Sequence, residues 1–423
     1  MRPSVTKTSF TLLILAFLPV SATAEATEPL PGLFLTWQRD PTTTMTVQWL
    51  EEADAPPGPA HIRYWEKEDM ETEQSEPTDV SAIRGWPGMF LHRAELTGLV
   101  SAAAYRFRAG EHWREFGFRT MPADLREPLR IGIGGDNYNE HIEWMERVNR
   151  AAMYHRPDFI VWGGDLAYAN ARPDRVNRWL EWFGTIQSSL TDADGFILPV
   201  VVAIGNHEVL AGYHYGHLGY EETDDWRMRL APFFYQLFAF PGQPGYNVLD
   251  FGNYLSLVIL DSDHSNPTDG AQVPWLDRVL RERRHVPHVF PVYHFPGYPG
   301  VAGAGAYGEF EAERVRRHWS PLFEQHGVQV AFEHHGHVYK RTVPIREGRY
   351  HPAGVVYIGD GAWGVTVNRA ADPDTRWYLE RTAAERHAVI ATLHGTHRHF
   401  LVVDEHGEVI DEFPAAGVRG PAR

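Results

Sequence analysis

Two rhythms of apolar residues divide this chain. Between Pro31 and Met121 apolar and polar positions alternate in short runs, TMTVQW, HIRYW, FLHRAEL, AAYRFRAG and REFGFRT, separated by turn residues. Alternation such as Arg106-Phe107-Arg108 suits a strand with one face in water, so these runs predict a small antiparallel β-sandwich over residues 29–122. After the linker ADLREP the runs become solidly apolar: LRIGIGGD, DFIVWGGD, PVVVAIGNHE, YLSLVILDSD, HVFPVYHFP, VQVAFEHHGH and GVVYIGDG. They alternate with helix-period stretches, HIEWMERVNRAAMY, DRVNRWLEWFGTI, VPWLDRVLRERR and EFEAERVRRHWSPLFEQ. Strand–helix alternation of this kind predicts an α/β domain over residues 129–368, with layered sheets buried on both faces and flanked by helices. Residues 369–423 are expected to complete that domain.

The first residues follow a different order: Arg2 and Lys7, then the apolar run Phe10–Leu18, then Ala22-Thr23-Ala24. A charged, apolar, small-residue order predicts a secretory leader over residues 1–24, and hence an exported protein, in the periplasm or outside the cell. The competing reading is an uncleaved anchor helix. No later segment approaches the ~18 uninterrupted apolar residues of a membrane span.

Composition narrows the chemistry. The 423 residues include no cysteine, which removes thiolate metal sites, cysteine nucleophiles and a disulfide framework. The formal charge is −16, and loss of Arg2 and Lys7 with a leader that holds no acids would take it to −18. Such a field repels polyanions, so long nucleic acid is not an expected partner. Nothing in the composition speaks to oligomeric state.

The apolar runs share one feature at their carboxyl ends. Asp136 ends the first, Asp165 the second, Asn206 and His207 the third, His294 the fifth, and His334, His335 and His337 the sixth. In α/β sheets sites are built outside the carboxyl ends of strands. Any one of these residues alone could be a turn or cap residue, and Asp261 and Asp263 in LDSD are read as such. Together they offer carboxylate, amide and imidazole donors, more than one tetrahedral ion accepts and suited to two ions such as iron, zinc or manganese. Paired metals serve in-line displacement at phosphorus.

In order, GGDN, GGDLAY, GNHE, the strand ending in His294 and the HHGH cluster resemble the five metal motifs of metallophosphoesterases, and GDLAY resembles the purple acid phosphatase branch. The N-terminal runs resemble a fibronectin type III module, with Trp49 as core indole and Tyr105 as tyrosine corner. The resemblance implies that Asp136, Asp165, Tyr168 and His337 hold a first metal, Fe3+ by virtue of the Tyr168 phenolate. Asp165 would bridge to a second ion, Fe2+, Zn2+ or Mn2+, held by Asn206, His294 and His335. It further implies hydrolysis of small phosphate monoesters by a metal-bound hydroxide.

His207 is the candidate that steadies a phosphoryl oxygen or protonates the leaving group, and Glu208 is expected to orient its neighbours. The chain departs from the family pattern in having no further histidine soon after His294, which brings in Tyr298 and Tyr307 as weaker acid candidates. His334 stands where the family has glycine and is expected beside the ligands or hydrogen-bonded to them; Arg341 is a possible phosphate contact. The alternatives are a phosphodiesterase or nucleotidase on the same site, and a non-catalytic binding protein with a degenerate metal domain.

Overall fold

The computed structural model describes residues 30–111, 114–210, 219–303, 309–359 and 361–414. The predicted leader and Tyr307 lie outside them. Among the described residues no helix is long and apolar enough to cross a membrane.

The alternating runs form two four-stranded sheets. One orders Phe34–Thr36, Met45–Glu52, Met89–Leu96 and Asp79–Ala82; the other orders Asp69–Pro77, His61–Glu66, Ala104–Ala109 and Phe116–Arg119. Asp69–Pro77, mostly exposed polar residues, carries no apolar rhythm and was not legible as a strand. Trp49 is buried and stacked on His92, and the Tyr105 hydroxyl accepts the Val100 backbone N–H at 2.9 Å, as a tyrosine corner does. The sandwich shares its core with the layered sheets: Trp37 meets Phe159 and Phe251 edge-on at 5.5 and 5.6 Å.

The solid apolar runs form two mixed sheets packed face to face. The first orders Val200–Val202, Phe159–Trp162, Leu129–Gly134, His387–His394, His397–Asp404 and Val409–Pro414. The second orders Asn247–Phe251, Leu255–Ile259, His288–Val292, Val330–Glu333, Val356–Gly359, Tyr339–Thr342 and Leu379–Ala383. Ile131, Ile133 and Val161 of the first meet Leu257, Phe290 and Phe332 of the second in one apolar layer. Helices Ile142–Tyr154 and Asn177–Ser189 cover the outer face of the first sheet through Met145, Val148 and Trp182. Helices Gln272–Glu282, Glu309–His318 and Ser320–His326 cover that of the second through Leu276, Val315 and Phe323. Each sheet is covered by the other on one face and by helices on the other, and burial on both faces explains why these strands read as unbroken apolar runs.

The stretch EFEAERVRRHWSPLFEQ is two helices, not one. Pro321 has no N–H to donate and sits in the first turn of Ser320–His326, so the helix restarts there. The C-terminal strands serve both sheets, since His387–His394 pairs antiparallel with Leu129–Gly134, and Leu379–Ala383 pairs with Tyr339–Thr342.

Two buried histidines tie this core to pH. Burial pushes His387 down to about 4, and burial with the neighbouring Arg398 does the same to His288. The folded values lie below the ordinary 6.5, so the folded chain binds fewer protons than the unfolded one in the window between them. The stability they contribute is complete above about 6.5 and lost as pH falls toward about 4, up to about 3 kcal/mol each. Thermal melts across that window should show a shallower loss for His288→Gln or His387→Gln than for the wild type. Equal slopes would show that neither histidine titrates in the fold.

Candidate metal centre

Each predicted donor sits just past a strand, at the carboxyl edge shared by the two sheets. Asp136 follows Leu129–Gly134, Asp165 and Tyr168 follow Phe159–Trp162, and Asn206 follows Val200–Val202. His294 follows His288–Val292, and His335 and His337 follow Val330–Glu333. Pairing of Leu129–Gly134 with Phe159–Trp162, and of Val292 with Phe332, brings these ends level. Five of the seven take left-handed backbone: Asp136 (φ 58°), Asp165 (55°), Tyr168 (51°), His335 (78°) and His337 (57°). Side chains seldom occupy that region, and its concentration at one edge marks a site whose surroundings impose the geometry.

The donors form two groups. In the first, the Tyr168 hydroxyl lies 3.2 Å from Asp136 Oδ1 and 3.0 Å from His337 Nε2, and His337 Nε2 lies 3.1 Å from Asp136 Oδ1. In the second, His294 Nε2 lies 3.2 Å from Asp165 Oδ2, 3.1 Å from Asn206 Oδ1 and 3.2 Å from His335 Nδ1. Donor atoms of Asp165, His294 and His335 all fall within 4.8 Å of one another.

Backbone carbonyls decide which ring nitrogen faces the centre. Gly163 O accepts from His294 Nδ1 at 2.9 Å, and Thr366 O accepts from His337 Nδ1 at 3.0 Å. In each neutral ring the Nε2 lone pair is then turned toward carboxylate, amide or phenol oxygens. Lone pairs facing oxygens are a poor hydrogen-bonded cluster and a good cation cage, so the donor set fits metal ions.

The charges agree. Burial opposes a charge on His294, but the Asp165 and Asp136 carboxylates outweigh it and push the imidazole up to about 9. Burial opposes a charge on His337 as well, and its bond to Asp136 still raises it. Burial and His294 drive His335 far down. Burial, Asp136 and Asp165 hold the Tyr168 phenol protonated far above its ordinary range. Nearby anions disfavour a phenolate, so only a strong Lewis acid at this position would ionise it.

Around these donors sits a supporting set. The Glu208 carboxylate accepts the backbone N–H groups of Asp165 (2.7 Å), Leu166 (2.8 Å) and Gly205 (2.8 Å), stapling two donor loops together. Burial and Asp165 push it up to about 8. Gly361 backs the Asp136 carboxylate so closely that a Cβ there would overlap it. His207 donates its backbone N–H to Asp165 Oδ1 at 2.7 Å and stacks its ring on Tyr168 at 4.0 Å. Its side chain is 29% exposed, so the imidazole stands at the mouth of the centre. Burial lowers its pKa.

Two sequence expectations change in the folded chain, and a third is met only in part. Tyr298 is core: it is 3% exposed and packs on Tyr357 and Tyr378, away from the donors. Arg341 is tied to Asp411 at 2.7 Å with Phe413 beneath it, which leaves it no phosphate role. His334 is, as expected, beside the donors: it is fully buried against Gly135 and Gly163 and donates its backbone N–H to His294 O at 2.9 Å, but both its ring nitrogens lack hydrogen-bond partners. Asp261 and Asp263 are structural, as expected. Asp261 accepts the His264 and Ser265 N–H groups at 2.8 and 2.9 Å, and Asp263 pairs with Arg314 at 2.8 Å. Tyr138, two places after Asp136, packs under Arg178, 4.0 Å from its ring, and bonds Glu181.

Sequence reasoning missed three residues. Asn170 accepts from His207 Nδ1 and fixes that ring. Ser262 Oγ accepts the Phe295 N–H at 2.8 Å, and His264, 3.2 Å from Ser262 Oγ, places its ring 5.3 Å from His294. Asn170 lies two residues beyond Tyr168 in GGDLAYAN, which was the only available sign; Ser262 and His264 gave none, because their strand supplies no donor.

The chain is similar to known proteins. The family model described as purple acid phosphatase, N-terminal domain, matches residues 31–120, and that described as calcineurin-like phosphoesterase matches residues 117–339. Purple acid phosphatase 21 of Arabidopsis thaliana is 27% identical over 64% of this chain, and purple acid phosphatase 18 of the same plant is 24% identical over 77%. The chain spans 58% and 70% of the lengths of those relatives. A purple acid phosphatase from seeds of yellow lupin (Lupinus luteus) superposes with a TM-score of 0.74 at 17% identity, covering 90% of this chain and 73% of its own.

Proposed function

This chain belongs to the calcineurin-like phosphoesterase family, in its purple acid phosphatase branch, and from that premise we propose that it is an exported hydrolase of small phosphate monoesters. The observation that carries the proposal is the convergence of Asp136, Tyr168 and His337 beside Asp165, Asn206, His294 and His335 at one sheet edge. The first three would hold one ion and the last three a second, with Asp165 between them. When bound, the two ions supply an acidified water and positive charge against phosphoryl oxygens.

The chain's own residues do the rest. Glu208 fixes the loops that present Asp165 and Asn206, and Asn170 fixes the His207 ring on Tyr168. His207 Nε2 is then left at the mouth, able to hold a phosphoryl oxygen or return a proton to the leaving alkoxide. The leader pattern of residues 1–24 supports export.

Chromogenic monoester and diester, assayed side by side on purified protein, test the substrate class. Faster monoester turnover is expected. Faster diester turnover would make the chain a phosphodiesterase, and no turnover of either with both ions bound would make it a binding protein.

The metal at the first site has its own test. Since the Tyr168 phenol ionises only against a strong Lewis acid, iron-loaded protein should be coloured by phenolate-to-iron charge transfer, and Tyr168→Phe should lose the colour while keeping some hydrolysis. A coloured phenylalanine variant would remove Tyr168 from the ligand set. A colourless, active wild type carrying zinc or manganese despite abundant iron would remove the iron.

A further inference from the structure

At the opposite end of the same strands lies a second feature. Pro287 and Val289 at the start of His288–Val292, and Gln329 just before Val330–Glu333, wall a cavity of about 40 Å³. On the order of 20 Å of extended chain separates Pro287 from His294. Arg283, Arg284, His326 and Arg398 also line the cavity, and no carboxylate does.

The arginines differ in what balances their charge. Arg283 is satisfied by Asp250, at 2.8 and 2.6 Å. Arg284 donates through Nε to His326 Nδ1 at 3.0 Å, and that ring is in turn held by Asp277 at 2.7 Å. Arg284 itself pairs with no carboxylate among the described residues. Arg398 is the anomaly. It is only 6% exposed, its Nη2 donates to Pro287 O at 2.9 Å, and its Nε has no hydrogen-bond partner. Among the described residues no acid pairs with it, and Phe290 is the group beneath its guanidinium. Burial alone pulls it down to about 10.

A buried guanidinium without an anion is costly, and chains that keep one normally supply a counter-charge. We propose that this cavity is an oxyanion site, in which Arg398 from within and Arg284 at the rim clasp one free tetrahedral anion of the size of inorganic phosphate. The forked donors of arginine suit such an anion. The volume admits an ion of that size. The site is separate from the metal centre and does not depend on the chain's being a hydrolase.

Equilibrium dialysis of the metal-loaded, full-length protein against radiolabelled inorganic phosphate tests it. The wild type should bind one phosphate per chain more than Arg398→Met, and Arg284→Met should weaken that extra site several-fold. Phosphate's inhibition of turnover, which reports the metal centre, should stay the same in both variants. Sulfate should displace the extra phosphate and chloride at equal ionic strength should not. Equal stoichiometry and affinity in all three proteins, or equal displacement by chloride, overturns the proposal. If Arg398→Met does not fold, Arg284→Met decides alone, because Arg284 is exposed and its loss leaves the core intact.

Discussion

Asp165→Ala is expected to lose both metal ions and to lower kcat/KM by on the order of 10³ or more, about 4 kcal/mol of transition-state stabilisation. Asp165 is fully buried, with Oδ2 3.2 Å from His294 Nε2 and Oδ1 accepting the His207 N–H at 2.7 Å. Despite burial, His294 and His207 hold its carboxyl well below the usual carboxylate range, so it is an anion ready for cations from two sides. Without it His294 and His335 face each other with no negative charge between them. The fold should persist, since the loop is held by Glu208 through backbone N–H groups that alanine retains. Metal per chain, by elemental analysis, checks the outcome. Two ions retained would remove Asp165 from its bridging place, and Asn206→Ala, expected to weaken only the second ion, supplies the contrast.

His207→Ala should leave metal content unchanged and slow turnover by ~10²–10⁴, the usual range for a general acid–base group. The imidazole touches Tyr168 and Asn170, and its Nε2 is 3.9 Å from Asp165 Oδ2, beyond a hydrogen bond. Substitution therefore removes a group at the mouth without removing a donor. Loss of metal would show that His207 helps to build the cage. Full activity would leave no acid among the described candidates, since Tyr298 is packed in the core.

The donors were legible because each stands at the end of an apolar run, and because carboxylate, amide and imidazole side chains advertise their chemistry in one dimension. His207 and Glu208 were legible as neighbours of a donor. The misreadings share a cause. Arg341 and Tyr298 sit close in sequence to donors, and sequence proximity at a strand end says nothing about which way a side chain turns. Arg341 faces Asp411, far along the chain, and Tyr298 faces Tyr357 and Tyr378.

What the sequence determined by itself, then, is the set of elements and the inventory of donors: period-two runs against solid apolar runs separate the sandwich from the layered sheets, and strand-terminal Asp, Asn and His supply the chemistry. Tertiary structure alone decided how closely the donor atoms approach one another, which imidazole nitrogen faces inward, and that His264 and Asn170 lie beside the centre. These depend on sheet order and on left-handed backbone at five donor positions, and both are fixed by packing between residues far apart in the chain. The unpaired guanidinium of Arg398 is of the same kind. In sequence it is one more charge at the start of a strand, and only the meeting of two sheets over Phe290 buries it without an acid.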